Sequence, residues 1–391
     1  MEVGLIKPNA VNFEPHVHVD PAFVGALVAA MRGDGAGLVS VMESCTNGSF
    51  TRLAFEITGI KREVAAAGGR CVYLDEGASS PVELDGCGRI ETSRFVAERL
   101  LANRRDFFYI DLAKLKTHSM TTVTLCLKNQ WCFVDPRHRG PLHNDALHES
   151  IREVNRLFVP DLCIVEGLVA TNHGHFPLKG FDGECLWNAG VLIAGRSAVA
   201  TDAASCRLIG IDPATVEHVA MCARDRDVLD PPVTCLDPID PSPAPFTGAI
   251  LPYFPPDVVV HKGIERCCKE GCLLNPVCAV QVLAANYGGH GGFHMFMGKG
   301  HDPEEVDSCP APVLVVGPCA EEEVFGRLAK RLGRRGVRLS RGHNNLKETL
   351  RCLIPLMGIN ILKISPLPLH RLAWAYLRHR LSGSRADVGF F

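Results

Sequence analysis

The chain has 391 residues, of which 47% are hydrophobic and 21% are charged, and its formal net charge is −2. These values are ordinary for a globular protein with enough apolar residues for one large domain or two domains. The near-neutral charge provides no basic footprint for nucleic acid, and 7% aromatic residues provide no evident stacking platform for single strands.

The amino-terminal segment MEVGLIKPNA carries charged residues and lacks the long apolar core of a secretory signal. The longest uncharged apolar stretches, such as residues 353–362, are too short to cross a bilayer. We therefore expect a cytoplasmic protein with no transmembrane segment. In that reducing compartment its seventeen cysteines are not expected to form a disulfide framework.

Strand-like and helix-like segments alternate through residues 1–229. Strands are predicted at residues 3–5, 37–42, 70–74, 107–112, 162–165 and 191–195. Helices are predicted at residues 21–31, 51–58, 92–101, 146–156 and 197–208. Strands that alternate with helices of about ten residues indicate βαβ units, and therefore an α/β fold with a mostly parallel sheet flanked by helices.

Nine prolines lie within residues 230–257, a density that neither a helix nor a sheet interior tolerates, so we interpret this stretch as an extended connector between domains. The alternation resumes at residues 258–365 and predicts a second, smaller three-layer α/β domain. Its strands are predicted at residues 258–261, 292–297, 312–316 and 337–340, and its helices at 277–285, 321–332 and 346–357.

The tail, residues 366–391, places leucines and Trp374 among arginines. Such an amphipathic segment can lie on a membrane surface. We expect it instead to dock on its own domain or on a second subunit of a homodimer, because amphipathic surface helices are common in globular proteins.

Polar residues follow two of the predicted strands. Lys7 and Asn9 come just after the first strand, and Lys116 and His118 come just after the strand at 107–112. Ligands of open α/β sheets bind outside the carboxyl ends of the strands, so these groups are expected to form one pocket for a small anionic substrate. The alternative is a set of surface lysines and hydrogen-bonded core histidines.

His118 is the predicted proton donor because the ordinary pKa of imidazole lies near neutrality, and Lys116 and Lys128 are the other predicted catalytic residues. A glycine-rich segment, EGLVATNHGHFPLKG at residues 166–180, follows another strand and can approach a ligand closely. The predicted substrate-binding residues are Lys7, Asn9, Asn129, Arg137, His143, Glu166, His173, His175 and Lys179. The His-x-His pairs at 16–18 and 173–175 are weak metal signals, since neither has a third ligand in view.

Cysteines are concentrated in the second domain, four of them within twelve residues. Thiolates at this spacing suit an iron–sulfur cluster, of which the 4Fe–4S type is our prediction, or zinc. Neither the ferredoxin spacing nor a paired CxxC zinc ribbon is present, and a group of buried or reactive thiols is the alternative. The predicted metal ligands are Cys267, Cys268, Cys272, Cys278, Cys309 and Cys319.

Nucleotide-binding motifs are absent from the sequence. No GxGxxG follows a strand, and no GxxxxGK precedes a Ser or Thr. The glycines at 288–292 precede a strand, which is the wrong order for a dinucleotide site. We therefore expect neither NAD nor ATP as a cofactor.

At this point the chain resembles the family catalogued as domain of unknown function 362, whose members are often described as iron–sulfur-centre-associated proteins. The resemblance covers roughly residues 3–222. It is carried by LIKPNAV, DPAFVGALV, KLKTH with the following T-x-x-x-x-LKN, the segment at 137–143, PDLCIVEG, GHFPLKG and AGRSAVATDAASCRLIG. It implies the α/β fold and supports Lys116, His118, Lys128 and Asn129 as site residues.

Many relatives look like redox proteins because they carry a ferredoxin-type cysteine module, which this chain lacks. Its second domain, with GKGHDPEEVD and VLVVGPCAEEEV, is similar to extensions of some relatives that have no assigned activity. The resemblance therefore implies a fold and a site more readily than a reaction.

The preferred hypothesis is an enzyme, an iron–sulfur-dependent reductase of a small anionic or conjugated substrate, with electrons from a donor protein such as a ferredoxin. One alternative is a non-redox lyase, isomerase or transferase that acts on a carboxylate or phosphate and has structural cysteines. Another is an accessory protein that carries a metal or cluster without turnover.

Overall fold

The computed structural model describes residues 2–46, 48–226, 229–237, 245–386 and 388. Within them two sheets and a hairpin account for the strands. The strands are β1 (Glu2–Pro8), β2 (Leu38–Glu43), β3 (Arg70–Tyr73), β4 (Ser79–Leu84), β5 (Gly88–Ser93), β6 (Phe108–His118), β7 (Thr122–Val123), β8 (Leu162–Thr171), β9 (Leu186–Trp187), β10 (Val191–Gly195), β11 (Val258–Lys262), β12 (Phe293–Met297), β13 (Val313–Val316) and β14 (Val337–Ser340).

Helices cover both sheets. They are α1 (Pro21–Gly33), α2 (Thr51–Thr58), α3 (Ile60–Ala66), α4 (Arg94–Val96), α5 (Leu125–Asn129), α6 (Pro136–Asp145), α7 (Leu147–Leu157), α8 (Asp182–Cys185), α9 (Ala198–Leu208), α10 (Glu217–Arg226), α11 (Leu274–Tyr287), α12 (Pro303–Ser308), α13 (Gly317–Ala320), α14 (Gly326–Leu332), α15 (Leu346–Leu356) and α16 (Leu369–Leu381). Wider π-type turns adjoin three of them, at Ala97–Ala102, Lys269–Leu273 and Glu321–Phe325. No helix among the described residues is long and apolar enough to cross a membrane.

The first sheet has the strand order β10-β8-β6-β1-β2-β3. Its pairs from β8 to β3 are parallel, and β10 joins β8 in the antiparallel direction. The short strands β7 and β9 also pair in the antiparallel direction, with β6 and β8. The central strand β1 is buried on both faces, with Leu5 and Ile6 fully enclosed, as expected for a parallel strand covered by helices. The second sheet, β11-β12-β13-β14, is parallel throughout. The predicted α/β fold with a mostly parallel sheet and a smaller α/β unit is confirmed.

One boundary correction bears on function. The strand predicted at 107–112 continues to His118, so Lys114, Lys116 and His118 occupy alternate positions inside β6 rather than a loop after it. In a sequence pattern, charged residues usually mark the end of a strand. Here the strand is buried, and each of these side chains has polar partners in the interior. The hairpin of β4 and β5 and the short helices α5 and α6 were not predicted.

The segment between the two sheets packs against both of them in its described part. Phe246 joins the core of the first domain, and Gln281 of α11 donates hydrogen bonds to the carbonyls of Leu251 and Tyr253. The predicted connector prolines Pro238, Pro241 and Pro243 lie outside the described residues.

The tail helix α16 packs on α2 of the first domain. Arg371 pairs with Glu56 at 2.6 Å, and the buried ring of His379 lies on Phe50 with 4.2 Å between centroids. The tail therefore docks on its own chain, one of the two places expected for it.

Candidate functional site

A cavity of about 210 Å³ lies between the two domains. The first domain contributes residues at the carboxyl ends of β1 and β2, from β6 and from α5 and α6, and the second contributes one face of α11 and residues near α15. The polar residues that line it include Lys7, Asn9, Glu14, Glu43, Ser44, Lys116, His118, Lys128, Asn129, Arg139, His143, His175, Asn275, Tyr287 and Asn344. The structure thus brings eight of the predicted site residues together.

Asn129 organises the floor of the cavity. Its Oδ1 accepts hydrogen bonds from Lys7 Nζ and from Asn9 Nδ2 at 2.9 Å, while its Nδ2 donates to Asp111 Oδ1. Asn129 reaches this position because α5 follows β6 across a short turn. Each polar atom of this buried amide has a partner, so Asn129 fixes the direction of the Lys7 ammonium.

Glu43 is the acidic partner of Lys7, with 3.0 Å between Nζ and Oε2, and both side chains are almost completely buried. Burial lowers the pKa of Lys7, but its acidic neighbours more than offset this effect and hold the pKa above its ordinary value. Lys7 therefore remains a cation. Glu43 was not predicted from the sequence, although it ends strand β2 at the same sheet edge as Lys7 and Asn9.

Lys116 lies deeper, fully buried, and donates from Nζ to Asn9 Oδ1 at 2.9 Å and to the carbonyl oxygen of Val17 at 2.6 Å. Both partners are neutral. Burial, together with the positive charges of Lys128 and Lys114, lowers the pKa of Lys116 well below its ordinary value. An amine in this state can accept a proton, which makes Lys116 a candidate general base.

Like Lys116 and unlike Lys7, Lys128 forms no ion pair with a carboxylate within the described part of the chain. Its Nζ lies 5.6 Å from the centre of the Trp131 ring, and burial, with the nearby charges of Arg139 and Lys7, lowers its pKa to about 7. Because this pKa lies near neutrality, an anion bound beside Lys128 would change the protonation of the lysine at neutral pH.

His118 and His175 stack face to face, with 4.2 Å between ring centroids and 7° between planes. His118 Nδ1 accepts from the backbone N–H groups of Met120 and Thr121, which assigns the ring proton to Nε2. Burial and the charge of Lys128 hold the pKa of His118 well below its ordinary value, so the ring is neutral. The lowered pKa does not favour the predicted role of His118 as a proton donor, and a neutral imidazole with its proton on Nε2 can donate a hydrogen bond.

Four predicted substrate-binding residues lie outside the cavity. Arg137 pairs with Asp135 at 2.8 Å, Lys179 is exposed, and His173 Nδ1 contacts the carbonyl of Ala249 at 3.2 Å. Glu166 is buried and bound by Lys114, with 2.8 Å between Nζ and Oε2. Arg137, Glu166 and His173 therefore have local partners outside the cavity.

Arg139 lines the cavity and was not predicted. Its guanidinium donates to the carbonyls of Val134, Cys45 and Cys132 and to Ser44 Oγ, at 2.6–2.8 Å. With four of its five N–H donors used in this way, Arg139 fixes the turn between α5 and α6 and contributes positive charge to the cavity.

Part of the cavity wall is apolar. It is formed by Trp131 and Phe176, by Val282 and Leu283 of α11 and by Leu350 of α15. A ligand that fits both the cationic and the apolar part of the wall would carry an anionic end and an apolar body.

Cysteines from two elements of the second domain meet at the carboxyl edge of its sheet. Cys267, Cys268 and Cys272 follow β11, and Cys319 follows β13. Burial raises the pKa of Cys267, and the proximity of Cys272, Cys268 and Cys319 raises it further, so the four lie within electrostatic range of one another. We call these four residues the cysteine group.

In the positions they occupy, no three sulfur atoms of the cysteine group are close enough together for one tetrahedral zinc ion. No three of its sulfur atoms lie within 4.8 Å of one another in the described chain. Tetrahedral zinc with Zn–S bonds of about 2.3 Å needs sulfurs about 3.8 Å apart, whereas the ligands of an iron–sulfur cluster bind different irons. Gly317, at a φ of +81°, leaves room beside Cys272, since a Cβ there lies 3.0 Å from its Sγ.

The two other predicted metal ligands lie elsewhere. Cys278 lines the cavity and donates to Ser119 Oγ at 3.6 Å, and burial raises its pKa to about 11. Cys309 lies beside His261 and His294. The structure therefore divides the six predicted cysteines among three places.

Helix α6 connects the cavity to the cysteine group. His143 lines the cavity, and the next residue, Asn144, donates from Nδ2 to Cys272 Sγ at 3.5 Å. Helix α11 makes a second connection, because Cys272 lies just before its start and Cys278 lies on its cavity face. Six residues of helix span about 9 Å, so the two sites are close together.

Comparisons with known proteins agree with the first domain. The family model described as domain of unknown function (DUF362) matches residues 5–207. The thylakoid-associated protein sll1697 of Synechocystis sp. is 30% identical over 128 residues, which are 31% of this chain and 38% of that protein. The chain thus spans well under half the length of this relative. The family match covers more than half of the 391 residues, and the chain belongs to the DUF362 family.

Proposed function

We propose that this protein is an iron–sulfur-dependent reductase of a small anionic substrate that binds between the two domains. The observation that carries the proposal is that α6 and α11 each contact both the cavity and the cysteine group. Because a cationic pocket and a cysteine-rich site lie this close together, we infer that they take part in one reaction.

The cysteine group supplies the ligands of the cluster. Cys267, Cys268, Cys272 and Cys319 are half-buried or buried, unpaired and at one sheet edge. An iron–sulfur cluster held there supplies single electrons at low potential, which it receives from an external donor of the ferredoxin class. No disulfide joins the cysteines of the described chain, and a reducing compartment, for which we propose the cytoplasm, preserves their thiols.

The substrate is an amphipathic acid, such as a conjugated carboxylate. Its anionic end is placed near Lys128, which lacks a carboxylate partner among the described residues, and near Lys7. Its apolar body lies against Trp131 and the apolar face of α11. Closure of the cavity by the second domain excludes water, and this strengthens the attraction between the lysines and the anion.

Proton supply falls to Lys128 rather than to His118. A group with a pKa of about 7 can give a proton and regain it near neutral pH. His118 orients the substrate by donating a hydrogen bond from Nε2, and its stacking on His175 holds the ring in place.

The test is anaerobic purification of the full chain, followed by iron analysis, an absorption spectrum and electron paramagnetic resonance after reduction. We expect about four irons per chain with the broad visible absorption of thiolate-ligated iron. A colourless protein that remains free of iron after anaerobic reconstitution removes the reductase proposal.

A second candidate is a non-redox lyase or isomerase, and the state of Lys116 favours it. A buried amine with a strongly lowered pKa is a suitable base for proton abstraction beside a carboxylate. In that case Cys268→Ala leaves turnover intact while Lys116→Ala abolishes it. In the reductase both substitutions abolish turnover.

A further inference from the structure

His261, His294 and Cys309 form a second group of metal-ligating side chains in the carboxyl-terminal domain. One nitrogen of each ring and the thiol sulfur all lie within 4.8 Å of one another. His261 lies on the edge strand β11, His294 on the neighbouring β12, and Cys309 follows helix α12. Three separate elements therefore meet at one point.

Strand register explains why the two imidazoles meet. Val259 pairs with His294 in the parallel ladder, so His261, two residues further along β11, lies on the same face as His294. His261 Nε2 lies 2.9 Å from His294 Nδ1, and the two rings are stacked within 13°. Cys309 is brought to this face by α12, whose Val306 packs into the same core cluster.

The second nitrogen of His261 is already oriented. Its Nδ1 lies 2.9 Å from Glu305 Oε2, and Glu305 belongs to α12. Histidines that bind metals commonly donate their other N–H to a carboxylate, which fixes the tautomer and makes the free nitrogen a stronger ligand. His261 thus has the ring orientation that a metal ligand requires, with Nε2 facing the other two donors.

We propose that His261, His294 and Cys309 bind one zinc ion that fastens the edge strand β11 to β12 and α12. Two imidazoles and one thiolate are a zinc donor set, and the fourth position of the tetrahedron takes water. A tetrahedral ion with Zn–N bonds of about 2.0 Å separates two ligand nitrogens by about 3.3 Å. The rings need to move apart by only a few tenths of an ångström to reach that separation.

This zinc site is separate from the cysteine group. His294 is the second residue of β12, Cys309 precedes β13, and His261 is the fourth of the five residues of β11, so the three donors lie on one face of the sheet. Cys319 comes after β13, and the cysteine group lies at the carboxyl edge. The zinc therefore supports the domain that carries the cysteine group and takes no part in the cavity.

The test is metal analysis of the full chain, purified anaerobically, loaded with zinc and desalted, with zinc and iron measured separately. We expect about one zinc per chain, and less than about 0.1 in His294→Ala and in Cys309→Ser, with their iron unchanged. His370→Ala, which removes an exposed histidine of α16, serves as the matched control and retains zinc. A wild-type chain without zinc, or ligand variants that keep it, overturns the proposal.

X-ray absorption at the zinc edge tests the same site without a variant. The expected first shell has one sulfur and two or three nitrogen or oxygen atoms. A shell of three or four sulfurs overturns the proposal, because that zinc lies in the cysteine group.

Discussion

Asn144 donates a hydrogen bond to Cys272 Sγ at 3.5 Å, and this contact joins a helix of the first domain to the cysteine group of the second. The fit is close on both sides, because Gly271 leaves no room for a Cβ beside the Asn144 amide. Hydrogen bonds to ligand sulfurs stabilise the more negative, reduced state of an iron–sulfur centre and so raise its potential.

Replacement of Asn144 is expected to change the redox potential. Asn144→Ala removes the N–H donor, so the midpoint potential should fall by an amount on the order of tens of millivolts. Spectroelectrochemical titration of the anaerobic protein measures this shift. Asn103→Ala, which removes an amide that bonds only to the carbonyl of Glu98, is the matched control. Equal potentials in Asn144→Ala and wild type contradict the assignment of Cys272 as a ligand.

Cys272, which lies just before α11, and Cys278, which lies within α11, should behave differently when they are replaced. Cys272→Ala is expected to lower iron content severely, since Cys272 lies in the cysteine group. Cys278→Ala should leave iron unchanged and alter only ligand binding, because Cys278 lines the cavity and bonds to Ser119. Iron analysis of both variants distinguishes these outcomes. Loss of iron in both variants indicates that the two thiols share one centre.

Lys128→Met should stabilise the ligand-free protein and abolish anion binding. The pKa of about 7 in the folded chain lies below the ordinary 10.5, so the unfolded chain binds an extra proton between these values and stability rises with pH across that window. The penalty for a buried charge is fully present below pH 7, and its removal should raise the free energy of unfolding there by about 1–3 kcal/mol.

Urea unfolding at pH 6 and pH 9 measures this effect. Lys61→Met, which replaces a half-exposed lysine paired with Glu56, is the control and should change stability by less than about 1 kcal/mol. If Lys128→Met does not raise the free energy of unfolding more at pH 6 than at pH 9, burial does not lower the pKa of Lys128 as described.

Anion binding should take up a proton. A carboxylate beside Lys128 raises the pKa of that lysine above about 7, so the complex holds one more proton than the free partners above pH 7. The affinity for phenylacetate is therefore expected to be constant below pH 7 and to fall by up to about tenfold per pH unit above it. Calorimetry in buffers of different ionisation enthalpy counts the protons. Phenylacetamide, which lacks the charge, should show no proton uptake.

Glu166 should prove structural rather than substrate-binding. Its carboxylate accepts from Lys114 Nζ at 2.8 Å and from the backbone N–H groups of Asp20 and Leu168 at 3.0 and 2.7 Å. Glu166→Gln leaves a buried ammonium without its counter-charge and should cost about 3–5 kcal/mol of unfolding free energy.

Glu98→Gln, which changes an exposed pair with Arg99, is the control for that substitution and should cost less than about 1 kcal/mol. Denaturant unfolding measures both variants. If the Glu166→Gln protein is stable but has lost affinity for phenylacetate, Glu166 is a substrate-binding residue after all.

The sequence by itself determined the fold class and half of the site. The alternation of strands and helices required a parallel sheet, and the carboxyl ends of parallel strands meet at one edge, so Lys7, Asn9 and Lys116 could be placed together from their positions in the chain. The same rule would have placed Glu43 in the site, because it ends β2 at that edge. The family membership of residues 5–207 was likewise visible in sequence motifs.

Only the tertiary structure decided which polar groups are available to bind a substrate. Glu166 and Arg137 look like site residues in sequence, but each has a close partner that uses its charge. The low pKa of Lys128 and the neutral state of His118 arise from burial between domains, a long-range property that no local spacing encodes.

The cysteines show the same division most clearly. Spacing along the chain grouped Cys267, Cys268, Cys272 and Cys278, because they are near one another in sequence. Cys319, also predicted as a ligand, lies near Cys267, Cys268 and Cys272 because β13 returns to the same sheet edge, whereas α11 carries Cys278 away into the cavity wall. Which cysteines lie close together is a property of positions in space, and here a sheet crossover and a helix turn decide it.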